Sequence, residues 1–167
     1  MYVRHAARYV RASMEAVVST FLDEFGWCGP NVPFGAQPVT VMLRPPKQAE
    51  LKPVSGNVVF ISHGDEADYE DMQLGGGLLR VEHVLFVDIL AENDGIALAI
   101  AADLKDRLAG LIGGTRFLRP TNPATDQALP GFLGEFDDVV REQPNPDLGA
   151  WQSVKATLVL DFGGDQT

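Results

Sequence analysis

Residues 77–113, GLLRVEHVLFVDILAENDGIALAIAADLKDRLAGLIG, decide the fold, because they read as one long strand running directly into one amphipathic helix. In the first half the side chains alternate. Leu79, Val81, His83, Leu85, Val87 and Ile89 fall on one face, and Arg80, Glu82 and Asp88 share the other with Leu78, Val84, Phe86 and Leu90. The first face is core; the second is apolar only at intervals. At Ala91 the period changes from two to about 3.6. Ile96, Ile100, Leu104, Leu108 and Leu111 then form one stripe, with Asp103, Lys105 and Asp106 largely off it. Asn93 or Asp94 can cap the free amides at the helix start, and Gly110 or the Gly113-Gly114 pair can release its end.

Upstream, residues 3–25 predict a first helix. Val3, Ala7, Val10, Met14, Val17 and Phe21, joined by Val18, Leu22 and Phe25, make its packing face. Arg4, Arg8, Arg11 and Glu15 lie on another face, and the arginines occupy early turns, where the helix dipole disfavours cations. Residues 26–38 are rich in Gly and Pro and predict a loop. A short strand at 39–43 stops at Pro45-Pro46, and NVVFIS at 57–62 is a second. The stretch 63–77 is expected as an acidic loop, so that NVVFIS and the long strand pair as an open hairpin with a projecting tip.

Downstream, residues 116–119 predict a brief strand and 120–131 an irregular loop. FLGEFDDVVREQ at 132–143 is read as a strand centred on 136–141. In WQSVKATLVLDF, 151–162, Val154, Ala156, Leu158, Leu160 and Phe162 share one face and Gln152 sits at its solvent end, which predicts a closing antiparallel strand. The sum is a single α+β domain over 1–167: a mixed, mainly antiparallel sheet of about four to five strands with two main helices packed on one face.

With 167 residues, 46% of them hydrophobic, the chain can bury a substantial core. No apolar run approaches the roughly 20 residues that span a bilayer, and MYVRHAARYVRAS does not read as a signal peptide, so a protein made and used inside a cell, without a membrane partner, is expected. A formal net charge of −10 argues against a nonspecific grip on nucleic acid. That charge is unevenly placed. HGDEADYED at 63–71 carries five carboxylates (Asp65, Glu66, Asp68, Glu70, Asp71) and no Lys or Arg, while Arg4, Arg8 and Arg11 concentrate positive charge near the other end. A solvated loop and a solvated helix face explain the asymmetry as well as contacts between copies do.

Catalytic signatures are sought and not found. Trp27-Cys28-Gly29-Pro30 matches the start of a thioredoxin redox motif, but Asn31 stands where the second Cys is needed, and the segment follows a helix instead of opening one. Trp27 is better read as a cover for the first helix. One Cys allows neither an internal disulfide nor a Cys-based zinc site. The acidic stretch beside His63 lacks the calcium-loop spacing, and His83 reads as a core histidine. Gly75-Gly76-Gly77 lacks the Lys-Ser/Thr of a phosphate loop, and Ser13, Ser19, Ser55, Ser62 and Ser153 sit in no nucleophile elbow. No catalytic residue, cofactor or metal is assigned, and no enzyme activity is expected.

The order of elements resembles the tail terminator proteins of long-tailed, siphovirus-type bacteriophages. The resemblance is carried by the apolar first helix, NVVFIS, VEHVLFVDILAENDGIALAIAADLKDRLAG and the closing WQSVKATLVLDF, introduced by a Trp after a Pro- and Asn-containing loop. It implies a structural virion protein that forms a ring, usually a homohexamer, on the last ring of major tail tube protein, stops polymerisation and offers the surface for head-completion or neck proteins. Its place would be the head-proximal end of the tail, reached by assembly in the host cytoplasm, with DNA passing through the lumen unbound. Another neck or head-completion (stopper) protein is the alternative, and a small α+β enzyme or ligand-binding domain the contrasting class. Arg4, Arg8, Arg11, Asp65, Glu66, Asp68, Glu70, Asp71, Arg80, Glu82, Val84 and Phe86 are then candidates for the subunit interface or the lumen.

Overall fold

In the computed structural model the described residues are 3–42, 57–71, 79–122, 124–125, 127–128, 132–144 and 150–162; at 3–8, 42, 63–71, 79–81, 132 and 160–162 the backbone alone is described. The elements in chain order are α1 (Val3–Glu24), β1 (Val39–Met42), β2 (Asn57–Asp71), β3 (Leu79–Leu90), α2 (Asp94–Leu108), β4 (Phe117–Leu118), β5 (Thr121–Asn122), β6 (Gln127–Ala128), β7 (Phe132–Glu142) and β8 (Trp151–Phe162). Six strands form one sheet in the order β1-β2-β3-β8-β7-β4, and β5 and β6 make a separate two-stranded ribbon. The β1–β2 pair is parallel and the other pairs are antiparallel. The fold is therefore the expected α+β class, with six strands in the sheet and the brief strand expected at 116–119 present as β4 at one edge.

The long strand and its helix form as their periods dictate. Asn93 caps α2, its side-chain oxygen accepting from the Ile96 amide at 2.9 Å. Ile96, Ile100, Leu104 and Leu108 are buried, whereas Leu111 lies past the helix end and is exposed. Both helices end in the same way. Gly26 and Gly110 take φ of +82° and +83°. At α1, Gly26 N donates to Asp23 O and Trp27 N to Leu22 O; at α2, Gly110 N donates to Arg107 O and Leu111 N to Asp106 O. These are paired Schellman bonds, which satisfy the last carbonyls and turn the chain sharply.

Register aligns the buried face across the sheet. Ile61, Val87 and Val154 are paired in succession, as are Val59, Ile89 and Gln152. His83 lies opposite Leu158, and Leu85 opposite Ala156. The two helices cover this face. From α1 come Val10, Met14, Val18, Phe21 and Leu22; from α2 come Ala97, Ile100, Ala101, Leu104 and Leu108. Arg107 fastens one helix to the other, its guanidinium 4.4 Å from the Phe25 ring centroid and ion-paired with Glu24.

Four expectations need correction. The stretch 63–71 is strand, not loop: β2 continues to Asp71, paired with β3 as far as Asp71 opposite Leu79, because the first half of β3 supplies a ladder for it. The expected β2–β3 hairpin is formed, with pairing that runs to Asp71 and Leu79. Gln152 is not at a solvent end; it is 7% exposed, since β8 lies centrally between β3 and β7. Within 120–131 the ribbon of β5 and β6 is ordered, tied to α1 where Thr121 N donates to Ser13 Oγ at 2.8 Å. Finally, β7 runs the full length Phe132–Glu142.

Candidate functional site

Alternation along β2, β3, β8 and β7 leaves a second face of the sheet, on the side away from the helices. Its rows follow from register: Val58, Leu90 and Trp151; then Phe60, Asp88, Ser153 and Glu142; then Ser62, Phe86, Lys155 and Val140. The next rows hold Val84, Thr157 and Asp138, then Glu82, Val159 and Glu135. The first rows of this face are closed, with Phe60, Asp88, Leu90 and Ser153 buried. Further along, Val84 and Phe86 are half-buried and Val140 is exposed. The result is an apolar centre with an acidic rim, in which Lys155 is the one described cation.

One end of this face is locked by polar contacts. Trp151 Nε1 donates to Asp88 Oδ1 at 3.1 Å. Burial pushes the Asp88 carboxyl above its ordinary value of 3.8, the hydrogen bond from Trp151 pulls the other way, and the nearby Glu142 charge pushes it up again. The sequence gives no hint of this pair, because Asp88 and Trp151 are 63 positions apart and meet only through the β3–β8 register.

Of the candidates named from sequence, Glu82, Val84 and Phe86 lie on the outer face as their alternation requires. Arg80 is in β3, its backbone opposite Glu70. Asp65 and Glu66 fall in the irregular part of β2, where three residues between His63 and Ala67 stand opposite Val84 alone; Asp68, Glu70 and Asp71 are in the paired part beyond it. Arg4, Arg8 and Arg11 are carried by α1, in the helical layer, so the basic and acidic segments belong to different layers. The side chains at positions 4, 8, 65, 66, 68, 70, 71 and 80 lie outside the described ones.

The Trp-Cys-Gly-Pro segment has a structural role. Trp27 is 1% exposed and its Nε1 donates to Asp103 Oδ2 at 3.0 Å. Burial, reinforced by the Asp23 charge, pushes the Cys28 thiol above its ordinary value, the opposite of what a reactive thiolate requires. His83 is buried on the core face, as expected. An open groove of about 330 Å³ lies between the start of α2 and the end of β7, lined by Asp94, Leu98, Arg141, Glu142, Gln143 and Gln152. Among the described residues no group of three His, Cys, Asp or Glu is placed to hold a metal ion.

A feature that sequence reasoning missed is a pair of exposed apolar residues held by unusual backbone. Phe34 (φ 59°) and Ile112 (φ 53°) are the non-glycine residues with positive φ among those described, and they are 82% and 58% exposed. Leu111, beside Ile112, is also 58% exposed. Spacing puts Leu111 on the core stripe of α2, so the sequence carries no signal of this exposure.

Against known proteins, no family model and no curated protein matches the chain. Among solved structures it is similar to a chain in the virion of a native gene transfer agent particle, at 15% identity and a TM-score of 0.44, over 93% of this chain and 98% of the other.

Proposed function

We propose that this chain is a structural, non-enzymatic component of a tailed phage-like particle, and that its role is that of a tail terminator. In this reading it forms one compact unit that closes into a ring, usually of six, on the end of the tail tube. The ring stops tube growth and offers its free side to the head-completion proteins, with DNA passing through its lumen. The observation that carries the reading is the sheet with two unlike faces: one sealed by α1 and α2, the other bearing half-buried Val84 and Phe86 and exposed Val140 in an acidic surround. A chain with such a face gains stability by placing it against a neighbour, since each half-buried Val or Phe still has roughly 1 kcal/mol of apolar burial to gain. The order of elements that supports the resemblance is the order in the fold. The missing catalytic signature in the sequence agrees with a role that rests on contacts alone.

Tube length provides the test. The tube protein of the same particle, produced alone, should polymerise to uncontrolled lengths, and co-production of this chain should cap tubes and leave ring density at one end in negative-stain images. Tubes whose length distribution ignores the chain would sink the reading.

A further inference from the structure

On the outer face, one row sets two carboxylates to either side of a buried hydroxyl. Register puts Asp88 of β3 opposite Ser153 of β8, and Ser153 opposite Glu142 of β7. Neighbouring strands run about 4.8 Å apart, so the backbones of the two acids stand roughly 10 Å from each other, with the shortest side chain of the row between them. Trp151 Nε1 occupies one Asp88 oxygen, Oδ1, and leaves Oδ2 for another ligand. Ser153 is 2% exposed, and its Oγ has no hydrogen-bond partner among the described residues. A buried hydroxyl left unpaired costs free energy, so a native one points to a ligand.

The charge balance says which kind of ligand. Among the described residues neither Asp88 nor Glu142 has an ion-pair partner. Burial first, and the Glu142 charge after it, hold the Asp88 carboxyl above its ordinary value, and a cation would relieve both effects. The donors are all oxygens, which suit a hard divalent ion. A row on a pleated sheet is not the octahedral cage that magnesium demands, whereas calcium takes oxygen ligands in flexible geometry. Glu142 also lines the open groove of about 330 Å³, which gives the row access to solvent.

We propose that Asp88, Ser153 and Glu142 form a calcium-class cation site, with Asp88 Oδ2, Ser153 Oγ and the Glu142 carboxylate as protein ligands and water completing the shell. The ion ties β3, β8 and β7 together across the outer face. With two carboxylates the site is weak, with a Kd of about 10⁻⁴ to 10⁻³ M.

The test is thermal unfolding of the full chain in EDTA or in calcium chloride, with ionic strength held constant by sodium chloride. Calcium at about ten times Kd should raise the wild-type midpoint by roughly 3–6 °C. Glu142→Gln, at an exposed position that leaves the core intact, should abolish the rise and weaken calcium binding about tenfold or more in titration calorimetry. Ser153→Ala should raise the midpoint in EDTA, by removing the unpaired hydroxyl, and still lower calcium affinity about threefold or more. A merely structural Ser153 would leave the calcium response untouched. Asp138→Asn, at another exposed acid of the same face, is the control and should bind calcium as the wild type does. The site is overturned if calcium leaves the wild-type midpoint unmoved. It is equally overturned if Asp138→Asn loses as much affinity as Glu142→Gln, which would mean an adventitious ion only, held by net charge.

Discussion

Asp88 is the residue whose ionisation the fold opposes most visibly. It lies on the outer face, 8% exposed, with Trp151 Nε1 donating to it, and burial is the largest influence raising its pKa from 3.8. The sign of the consequence follows from linkage. Below 3.8 the carboxyl is protonated in both the folded and the unfolded chain, so it has no effect on stability. As pH rises from 3.8 through the higher folded value, the unfolded chain releases its proton first and the folded state loses stability, after which the penalty is constant. Asp88→Asn keeps an oxygen to accept from Trp151 and removes the ionisation. The variant should therefore have a higher thermal midpoint than wild type at neutral pH, with the difference shrinking to nothing below pH 3.8. Equal midpoints at neutral pH would mean that the carboxylate is well solvated after all. Asp103 on α2 is raised for the same first cause, with Trp27 and Arg107 opposing and Asp106 adding to the rise. A buried carboxylate on one side of the sheet and a half-buried one on the other are thus each held by an indole.

At the scale of elements, the α2 terminus is the most constrained piece of backbone. A Cβ on Gly114 would overlap the Arg107 carbonyl group, approaching its carbon to 2.7 Å, and both partners are backbone atoms that cannot swing away. Gly113 faces open space, and its constraint is the positive φ alone. Gly114→Ala should therefore cost about 2 kcal/mol or more through overpacking, against about 1 kcal/mol for Gly113→Ala through left-handed strain. Urea midpoints at unchanged slope would measure both, and the reverse order would refute the geometry. This region also marks where sequence reading stops. The helix, its Asn cap and its Gly terminator were legible because each is a local preference written in one or two residues. The extension of β2 through HGDEADYED was not, since five carboxylates and a Gly argue for loop, and only the ladder offered by β3 makes that stretch a strand. Gln152 misled for a related reason. A polar residue at the start of a strand looks solvent-facing until the strand is known to be central. Within the candidate surface, alternation alone placed Glu82, Val84 and Phe86, whereas Asp88 with Trp151 and the strained Ile112 depend on register and on φ, neither of which a single sequence encodes visibly.

On the whole-molecule scale, assembly must overcome repulsion, because every copy carries a formal charge of −10. At about 0.01 M salt the Debye length is about 30 Å, longer than the separation of neighbouring surfaces, and at about 0.1 M it falls to about 10 Å. Self-association should therefore strengthen as salt rises through this range, since the long-range field is screened more than short-range contacts are. The acidic stretch of β2 separates two explanations of that behaviour. If Asp65, Glu66 and Asp68 only add to the general repulsion, converting all three to Lys changes the formal charge from −10 to −4 and should tighten association at low salt. If the stretch belongs to a contact or to a lumen of the proposed ring, the same variant should assemble worse despite the smaller net charge, or retain DNA that the wild type does not. Sedimentation at two salt concentrations, with a DNA-binding assay on whatever assembles, distinguishes these outcomes. Tighter rings with no DNA retention would remove β2 from the assembly surface and leave the face around Val84 and Phe86 as the contact to test.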